Sequence, residues 1–275
     1  MKLRSLAILA AALSLAGCTL PSTSPTAPVN SAITGNWEIT LTSTTRPGYI
    51  YTFGIYLTQS GSTVSGIGSW IEDAFPQCIA SGFLCGYPFE VLNPNLAGTV
   101  NASGNVAFGT TIAQNSPGTL SITANAPTDG LITGTYTITY DTLVDQGTVS
   151  ATMIAPLIGT YAGTLTSSTT GLSMGVSTTL TQTSSATSGF SNAFLGFAGS
   201  AAFTGSSCIS SAPIPVSGTF LGNQLEIELT QSNSPTATIL LTGTLSPDAK
   251  TLVINFYSDN SACGNDSGSG TLTRQ

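Results

Sequence analysis

The second half of the chain repeats the first, and this internal repeat limits the possible folds more than any other feature of the sequence. Four short stretches recur in the same order, at offsets between 120 and 124 residues. The paired stretches are TGNWEITLT with IGTYAGTLT (34–42, 158–166), YLTQ with TLTQ (56–59, 179–182), AGTV with SGTF (97–100, 217–220) and DQGTVSAT with DSGSGTLT (145–152, 266–273). A period of this length predicts two similar folded units in tandem, joined within Met153–Leu157. We therefore predict one domain over 33–154 and a second over 155–275.

Within each half, apolar and polar residues alternate with a period of two. Trp37, Ile39 and Leu41 share one face of a segment whose other face carries Asn36 and Glu38. Such alternation predicts strands with one buried and one wetted face. Turn-forming stretches such as QSGS, PTDG and SPDAK recur at the spacing of hairpins. We count about eight strands per half.

Antiparallel strands that meander over about 120 residues close most naturally into a small barrel, because closure removes the exposed sheet edges. The predicted fold is therefore all-β, with two tandem antiparallel up-and-down β-barrels. Two β-sandwiches are the alternative, since they would give the same period. The stretch TGNW (34–37) resembles the Gly-x-Trp start of lipocalin-like and avidin-like barrels. That resemblance implies a lipocalin-like barrel with Trp37 closing one end, and Tyr161 takes this position in the second half.

The first seventeen residues have the pattern of a signal peptide. Lys2 and Arg4 precede an apolar run from Leu6 to Leu15, and Leu15-Ala16-Gly17-Cys18 resembles the lipobox of bacterial lipoproteins. The resemblance implies that residues 1–17 are removed and that the thiol of Cys18 carries diacylglycerol. An ordinary signal peptide with an incidental cysteine is the alternative. Residues 18–32 then form a flexible Pro/Ser/Thr linker between the lipid and the folded body.

The residue after Cys18 and the net charge bear on location and partners. In the lipoprotein family an aspartate directly after the cysteine often signals inner-membrane retention. Thr19 stands at that position, so for a cell with two membranes the resemblance implies a lipid anchor in the outer membrane, with the body in the periplasm or on the surface. Loss of Lys2 and Arg4 changes the net charge from −7 to −9. A body this acidic repels phosphate backbones, which excludes nucleic acid as a partner.

Four cysteines remain besides Cys18. An even number in an exported protein favours disulfides among Cys78, Cys85, Cys208 and Cys263. Three pairings are possible, and the repeat boundary leaves Cys78–Cys85 with Cys208–Cys263. The chain has no CxxC spacing and no histidine, so we predict no zinc site.

The sequence offers no catalytic residues that we can assign. Without histidine, the ordinary Ser-His-Asp and Cys-His arrangements are excluded. The closest acidic pair, Glu226 and Glu228, lies on the polar face of a predicted strand, which favours solvated surface over a glycosidase pair. Residues 258–270 are rich in oxygen ligands but lack the spacing of a known calcium loop. We expect no enzyme activity, no cofactor and no metal.

Binding is the remaining function. The richest aromatic group of the first half, which forms either a ligand-binding wall or simply the core, consists of Trp37, Tyr49, Tyr51, Phe53 and Trp70. We therefore predict a non-enzymatic, lipid-anchored lipoprotein of the cell envelope that binds a small apolar ligand or a protein partner through a barrel. A purely structural envelope component with filled barrel cores is the alternative.

Overall fold

The structure is a computed structural model of the chain, and it describes residues 33–70, 95–114, 116–140, 143–189, 192–206, 209, 211–231, 237–260 and 265–275. The predicted signal peptide, lipobox and linker lie outside these residues, as do Cys78, Cys85, Cys208 and Cys263. No helix among the described residues has the length and apolarity needed to cross a membrane.

The first barrel is a closed sheet of eight strands, each antiparallel to its neighbours along the chain. Its strands are β1 (Gly35–Ser43), β2 (Ile50–Ser60), β3 (Thr63–Trp70), β4 (Asn95–Val100), β5 (Val106–Gln114), β6 (Ser116–Ala124), β7 (Leu131–Tyr140) and β8 (Leu143–Ile154). Pairing of β1 with β8, for example Ile39 opposite Ala151, closes the sheet.

The second barrel is also closed, and its eight strands follow each other in the same order. They are β9 (Ile158–Ser167), β10 (Ser173–Gly189), β11 (Asn192–Thr204), β12 (Ile214–Leu221), β13 (Gln224–Gln231), β14 (Ala237–Leu245), β15 (Thr251–Asn260) and β16 (Asp266–Arg274). Pairing of β16 with β9 closes this sheet. The prediction of two tandem up-and-down barrels is confirmed, and the sandwich alternative is wrong.

The alternation of the sequence sets the inside and outside of each barrel. In β1 the side chains of Trp37, Ile39 and Leu41 point inward and are fully buried. Each barrel packs its inward side chains into its own apolar core. Burial of these side chains stabilises the fold by roughly 25 cal/mol for each Å² of apolar surface removed from water.

Trp37 and Tyr161 occupy equivalent positions in the two barrels, and each fills the core of its own barrel. Both are fully buried near the start of the first strand of their barrel. The indole N–H of Trp37 donates to the carbonyl oxygen of Ile33 at 2.8 Å, and the Tyr161 hydroxyl donates to that of Ala249 at 2.7 Å. Each large aromatic side chain therefore satisfies its polar atom while filling the core.

The hairpin between β6 and β7 shows how local chemistry sets the register. Asp129 and Gly130 both have positive φ, 52° and 73°. The flanking Thr128 and Leu131 exchange two backbone hydrogen bonds of 2.9 Å. This is the backbone conformation of a type I′ turn, for which Asp-Gly is a preferred pair.

The two barrels are joined by the short segment Ala155–Leu157 and are in direct contact. The N–H of Ala155 donates to the carbonyl of Pro247 at 2.8 Å, and Leu157 is fully buried in the second core. Tyr56, on the outer face of β2, also packs against that core.

The side chain of Asn36 links the two barrels directly. The Asn36 amide donates to the carbonyl of Gly222 and accepts from its N–H, both at 2.8 Å. Asn36 points outward, as the alternation predicts, yet it is buried because the β12–β13 turn covers it. Gly54 lies beside this turn, and a Cβ there would lie 2.4 Å from the backbone of Gly222 and of Leu221. Only glycine leaves room for this approach.

Candidate functional site

The predicted aromatic wall is placed mostly in the core of the first barrel. Trp37, Tyr51 and Phe53 point inward and are at most 4% exposed. Tyr49 is partly buried against the same core. Trp70 ends β3 opposite Phe53, and its side chain lies outside the described part of the structure. The structure thus brings four of the five residues together as packing elements.

Next to this aromatic group lies a buried carboxylate, Asp145, at the start of β8. Its Oδ1 accepts hydrogen bonds from the hydroxyls of Ser43, at 2.5 Å, and Thr45. Its Oδ2 accepts from the Tyr136 hydroxyl at 2.9 Å. These bonds connect the start of the β1–β2 loop to β7 and β8.

Hydrogen bonds decide the charge state of this cluster. Burial alone would raise the pKa of Asp145, but the donated bonds from Ser43, Thr45, Tyr136 and Tyr51 outweigh it and lower that pKa. Burial first, and then the neighbouring Asp145 carboxylate, raise the pKa of both Tyr51 and Tyr136. The cluster therefore holds one carboxylate with neutral phenols around it. A carboxylate with donors on both oxygens and a low pKa is a poor general base.

The second barrel contains a smaller version of the same cluster. The Ser167 hydroxyl donates to Oδ1 of Asp266 at 2.7 Å, as Ser43 does to Asp145. Ser167 also accepts from the backbone N–H groups of Thr169 and Thr170, so it fixes the loop after β9. Recurrence of the Ser–Asp pair in both repeats indicates a structural role in closing each barrel.

A concave groove lies on the outside of the first barrel, with a volume of about 790 Å³. We call it the hydroxyl groove, because its outward-facing lining is Thr99, Asn101, Asn105, Ala107, Thr123, Asn125, Thr133, Thr135, Thr148 and Ser150. None of these residues is charged. The second barrel covers the face of β1 to β3 and leaves the groove on β4 to β8 open.

Strand register builds the hydroxyl groove. Thr135 on β7 lies directly opposite Thr123 on β6 and Thr148 on β8. Thr133 lies opposite Ser150 in the same way. The β4–β5 turn, with Asn101 and Asn105, borders the groove at one end. Sequence reasoning missed this site, although the uncharged TxT pattern of 133–137 was visible.

A second surface feature lies on the outer face of the second barrel. Leu240 on β14 pairs with Tyr257 on β15, and their side chains are 37% and 48% exposed. Glu228 lies on the other side of Leu240. We call Leu240, Tyr257 and Glu228, with Val253 and Asp259 on the same face of β15, the Tyr257 patch. Leu240, Val253 and Tyr257 occupy positions where the alternation calls for polar residues, and this signal was present in the sequence.

The remaining acidic candidates are surface residues. Glu226 and Glu228 are both exposed on β13, as the sequence predicts for a solvated strand face. Within the described ranges, no three His, Cys, Asp or Glu side chains come close enough to hold a metal ion.

The fold defines an all-β protein built from two closed eight-stranded barrels. No protein-family model and no curated protein matches the sequence. Similar solved structures include two mutants of transferrin binding protein B from Haemophilus parasuis Hp5, a double mutant at 10% identity and a single mutant at 9%. In both cases the match covers 88% of this chain and 75% of that chain, with a TM-score of 0.24. A TM-score this low carries no weight for function.

Proposed function

We propose that this protein is a non-enzymatic, lipid-anchored lipoprotein of the bacterial outer membrane that binds a protein partner through the Tyr257 patch. The single observation that carries the binding proposal is the exposed Leu240–Tyr257 pair. Covering apolar surface that faces water on a strand is favourable, and Tyr is enriched where proteins meet.

The charge around the Tyr257 patch sets the chemistry of the partner. Glu228 lies beside Leu240, while Asp259 follows Tyr257 on the same face of β15. The described cations lie elsewhere: Arg46 is in the first barrel, and Lys250 pairs with Asp248 at 3.1 Å. Arg274 lies opposite Tyr161 at the end of β16, seven residues along that strand from the partner of Tyr257, Ser267. A partner with an apolar centre and a basic rim would complement this surface.

Photo-crosslinking in the native host tests the partner. A photoreactive residue placed at Tyr257 should give an adduct of defined mass, and the added substitution Leu240→Asp should remove it. The matched control is Leu131→Asp, which adds the same charge at an exposed apolar position of the first barrel. An adduct that survives Leu240→Asp, or one that Leu131→Asp removes equally, would refute the proposed surface.

The anchor is supported by the lipobox, and metabolic labelling tests it. Wild-type protein grown with an alkyne-bearing palmitate should acquire the label and sediment with outer membranes. Cys18→Ala should lose both properties. Label retained by Cys18→Ala would contradict lipidation at this cysteine.

The two other candidate functions differ in what the barrels contain. Filled cores favour the structural alternative, because the described inward side chains of both barrels pack together. A small apolar ligand beside Trp37 and Tyr51 would require space within that packing. Native mass spectrometry of the full-length protein in detergent distinguishes these cases, since a bound ligand adds a mass that denaturation removes.

A further inference from the structure

We propose that the hydroxyl groove binds a neutral, hydroxyl-rich glycan. This site is separate from the Tyr257 patch, so the proposal does not depend on the proposed protein partner.

The absence of charge within the groove selects the class of ligand. Its outward-facing lining consists of Thr, Ser and Asn with Ala107. An ionic ligand would lose water here without meeting an opposite charge, and a wholly apolar ligand would leave the hydroxyls without partners. A ligand that brings its own neutral donors and acceptors avoids both costs.

The hydroxyls form a regular array because of the strand register. Thr123, Thr135 and Thr148 are directly opposite one another on three successive strands. Their Cβ atoms are therefore about 4.5–5.5 Å apart, while Thr133 and Thr135 are about 6.8 Å apart along β7. Each hydroxyl both donates and accepts a hydrogen bond, as sugar hydroxyls do. The threonine methyl groups and the Ala107 methyl group together supply apolar contact for the C–H faces of a sugar.

Two asparagines at the end of the groove are oriented by their own turn. The Asn101 side-chain oxygen accepts from the N–H groups of Ser103, at 2.9 Å, and Asn105, at 3.0 Å. The Asn105 side-chain oxygen accepts from the N–H of Ala126 at 3.3 Å. With the oxygens used by the backbone, the amide NH₂ groups remain as donors. A glycan with acetamido carbonyls offers acceptors that match them.

The probe is chitotetraose, a neutral tetramer of N-acetylglucosamine, titrated into the full-length protein in detergent. Saturation-transfer NMR should show saturable binding with a Kd on the order of 1 mM or tighter, because the groove has no aromatic platform. The double variant Thr135→Val/Thr148→Val removes two hydroxyls at nearly constant shape. It should weaken binding about tenfold.

The matched control is Thr164→Val/Thr271→Val. These two threonines are also directly opposite each other and exposed, but on the second barrel. This control and Leu240→Asp should both leave chitotetraose binding unchanged. Ala107→Leu should weaken binding by filling part of the groove with a side chain that offers neither a hydroxyl nor an aromatic face, which gives a second test if the double variant is unstable.

Two results would overturn the proposal. One is no saturable binding of chitotetraose up to about 10 mM. The other is equal weakening by the groove variant and the second-barrel control. Loss of the Tyr257 adduct with intact glycan binding would instead count against the proposed protein partner alone.

Discussion

The side-chain amide of Asn36 in the first barrel holds the backbone of Gly222 in the second through two hydrogen bonds of 2.8 Å. These bonds satisfy the buried N–H and the buried carbonyl of Gly222, which are shielded from water. Asn36→Ala should therefore leave both groups without partners and weaken the barrel contact by about 2–4 kcal/mol. The expected result is separation of one cooperative unfolding transition into two.

The two tryptophans, Trp37 and Trp70, both belong to the first barrel. The separate unfolding of the two barrels in Asn36→Ala can therefore be measured. Their fluorescence follows the first barrel in urea, while far-UV circular dichroism follows both. Thr160→Ala is the control, since Thr160 has the position of Asn36 in the second repeat. Coincident transitions in Asn36→Ala would show that the contact does not couple the barrels.

Gly54→Ala tests the same contact sterically. Its new Cβ would lie 2.4 Å from backbone atoms of the β12–β13 turn, so the barrels must move apart. We expect a cost of about 1–3 kcal/mol and a larger radius of gyration in small-angle scattering. Gly175→Ala is the control, because its Cβ would meet only the side-chain hydroxyl of Thr204, at 2.5 Å. An unchanged radius for Gly54→Ala would rule out the close approach.

Asp145→Asn should destabilise the first barrel more than Asp266→Asn destabilises the second. Asp145 accepts from Ser43, Thr45 and Tyr136, whereas Asp266 accepts from the side chain of Ser167. Hydrogen bonds to a charged acceptor are the stronger kind, so we expect a loss of about 2 kcal/mol in the first barrel. Tryptophan fluorescence in urea measures it. Equal losses, with hydrogen exchange used for the second barrel, would contradict the larger role of Asp145.

The same carboxylate predicts how stability depends on pH. The folded pKa of Asp145 lies below its ordinary value of 3.8, so its contribution is complete above that value and is lost as the pH falls through the folded pKa. The first barrel should thus lose stability on acidification below about pH 4. Asp145→Asn should have a flatter profile over this window, and an unchanged slope would exclude Asp145 as the source.

Glu38 predicts an effect of opposite sign. It lies half-buried on the outer face of β1, and desolvation raises the pKa of its carboxyl. The group therefore favours folding below its unfolded pKa and opposes it as the pH rises through the folded pKa. Glu38→Gln should increase the free energy of unfolding at pH 7 by up to about 0.5 kcal/mol and have no effect in acid. Thermal melts at both pH values measure the difference, and a destabilised variant at pH 7 would contradict the prediction.

The predicted disulfides are tested by intact mass. With Cys78–Cys85 and Cys208–Cys263 formed, reduction should add the mass of four hydrogens. Peptide mapping without reductant should link each pair within its own repeat. A peptide that joins Cys78 or Cys85 to the second repeat would overturn this pairing.

The number of strands and the identity of the core were readable from the sequence because each strand repeats a two-residue pattern. Trp37, Ile39 and Leu41 are buried where that pattern places them. Asn36 illustrates what the pattern cannot give. It points outward as predicted, yet it is buried, because a turn 186 residues away packs over it. Contacts between barrels, like the hydroxyl groove, depend on which outer faces are covered, and alternation within a strand carries no such information.

The β12–β13 turn of the second barrel packs against Asn36 and Gly54 of the first, whereas the equivalent β4–β5 turn of the first barrel borders the open groove. The second barrel has no equivalent surface for the β4–β5 turn, because Thr160 and Ser177 take the positions of Asn36 and Gly54 in the second repeat. A threonine has one side-chain oxygen in place of the separate amide nitrogen and oxygen with which Asn36 meets the carbonyl and N–H of Gly222, and a serine side chain fills the space that Gly54 leaves. The two units of similar sequence therefore carry different contact surfaces, and the contact between them is heterologous. Further copies of the chain cannot add to the pair by the same contact, so this mode of association ends at two barrels rather than growing into a filament.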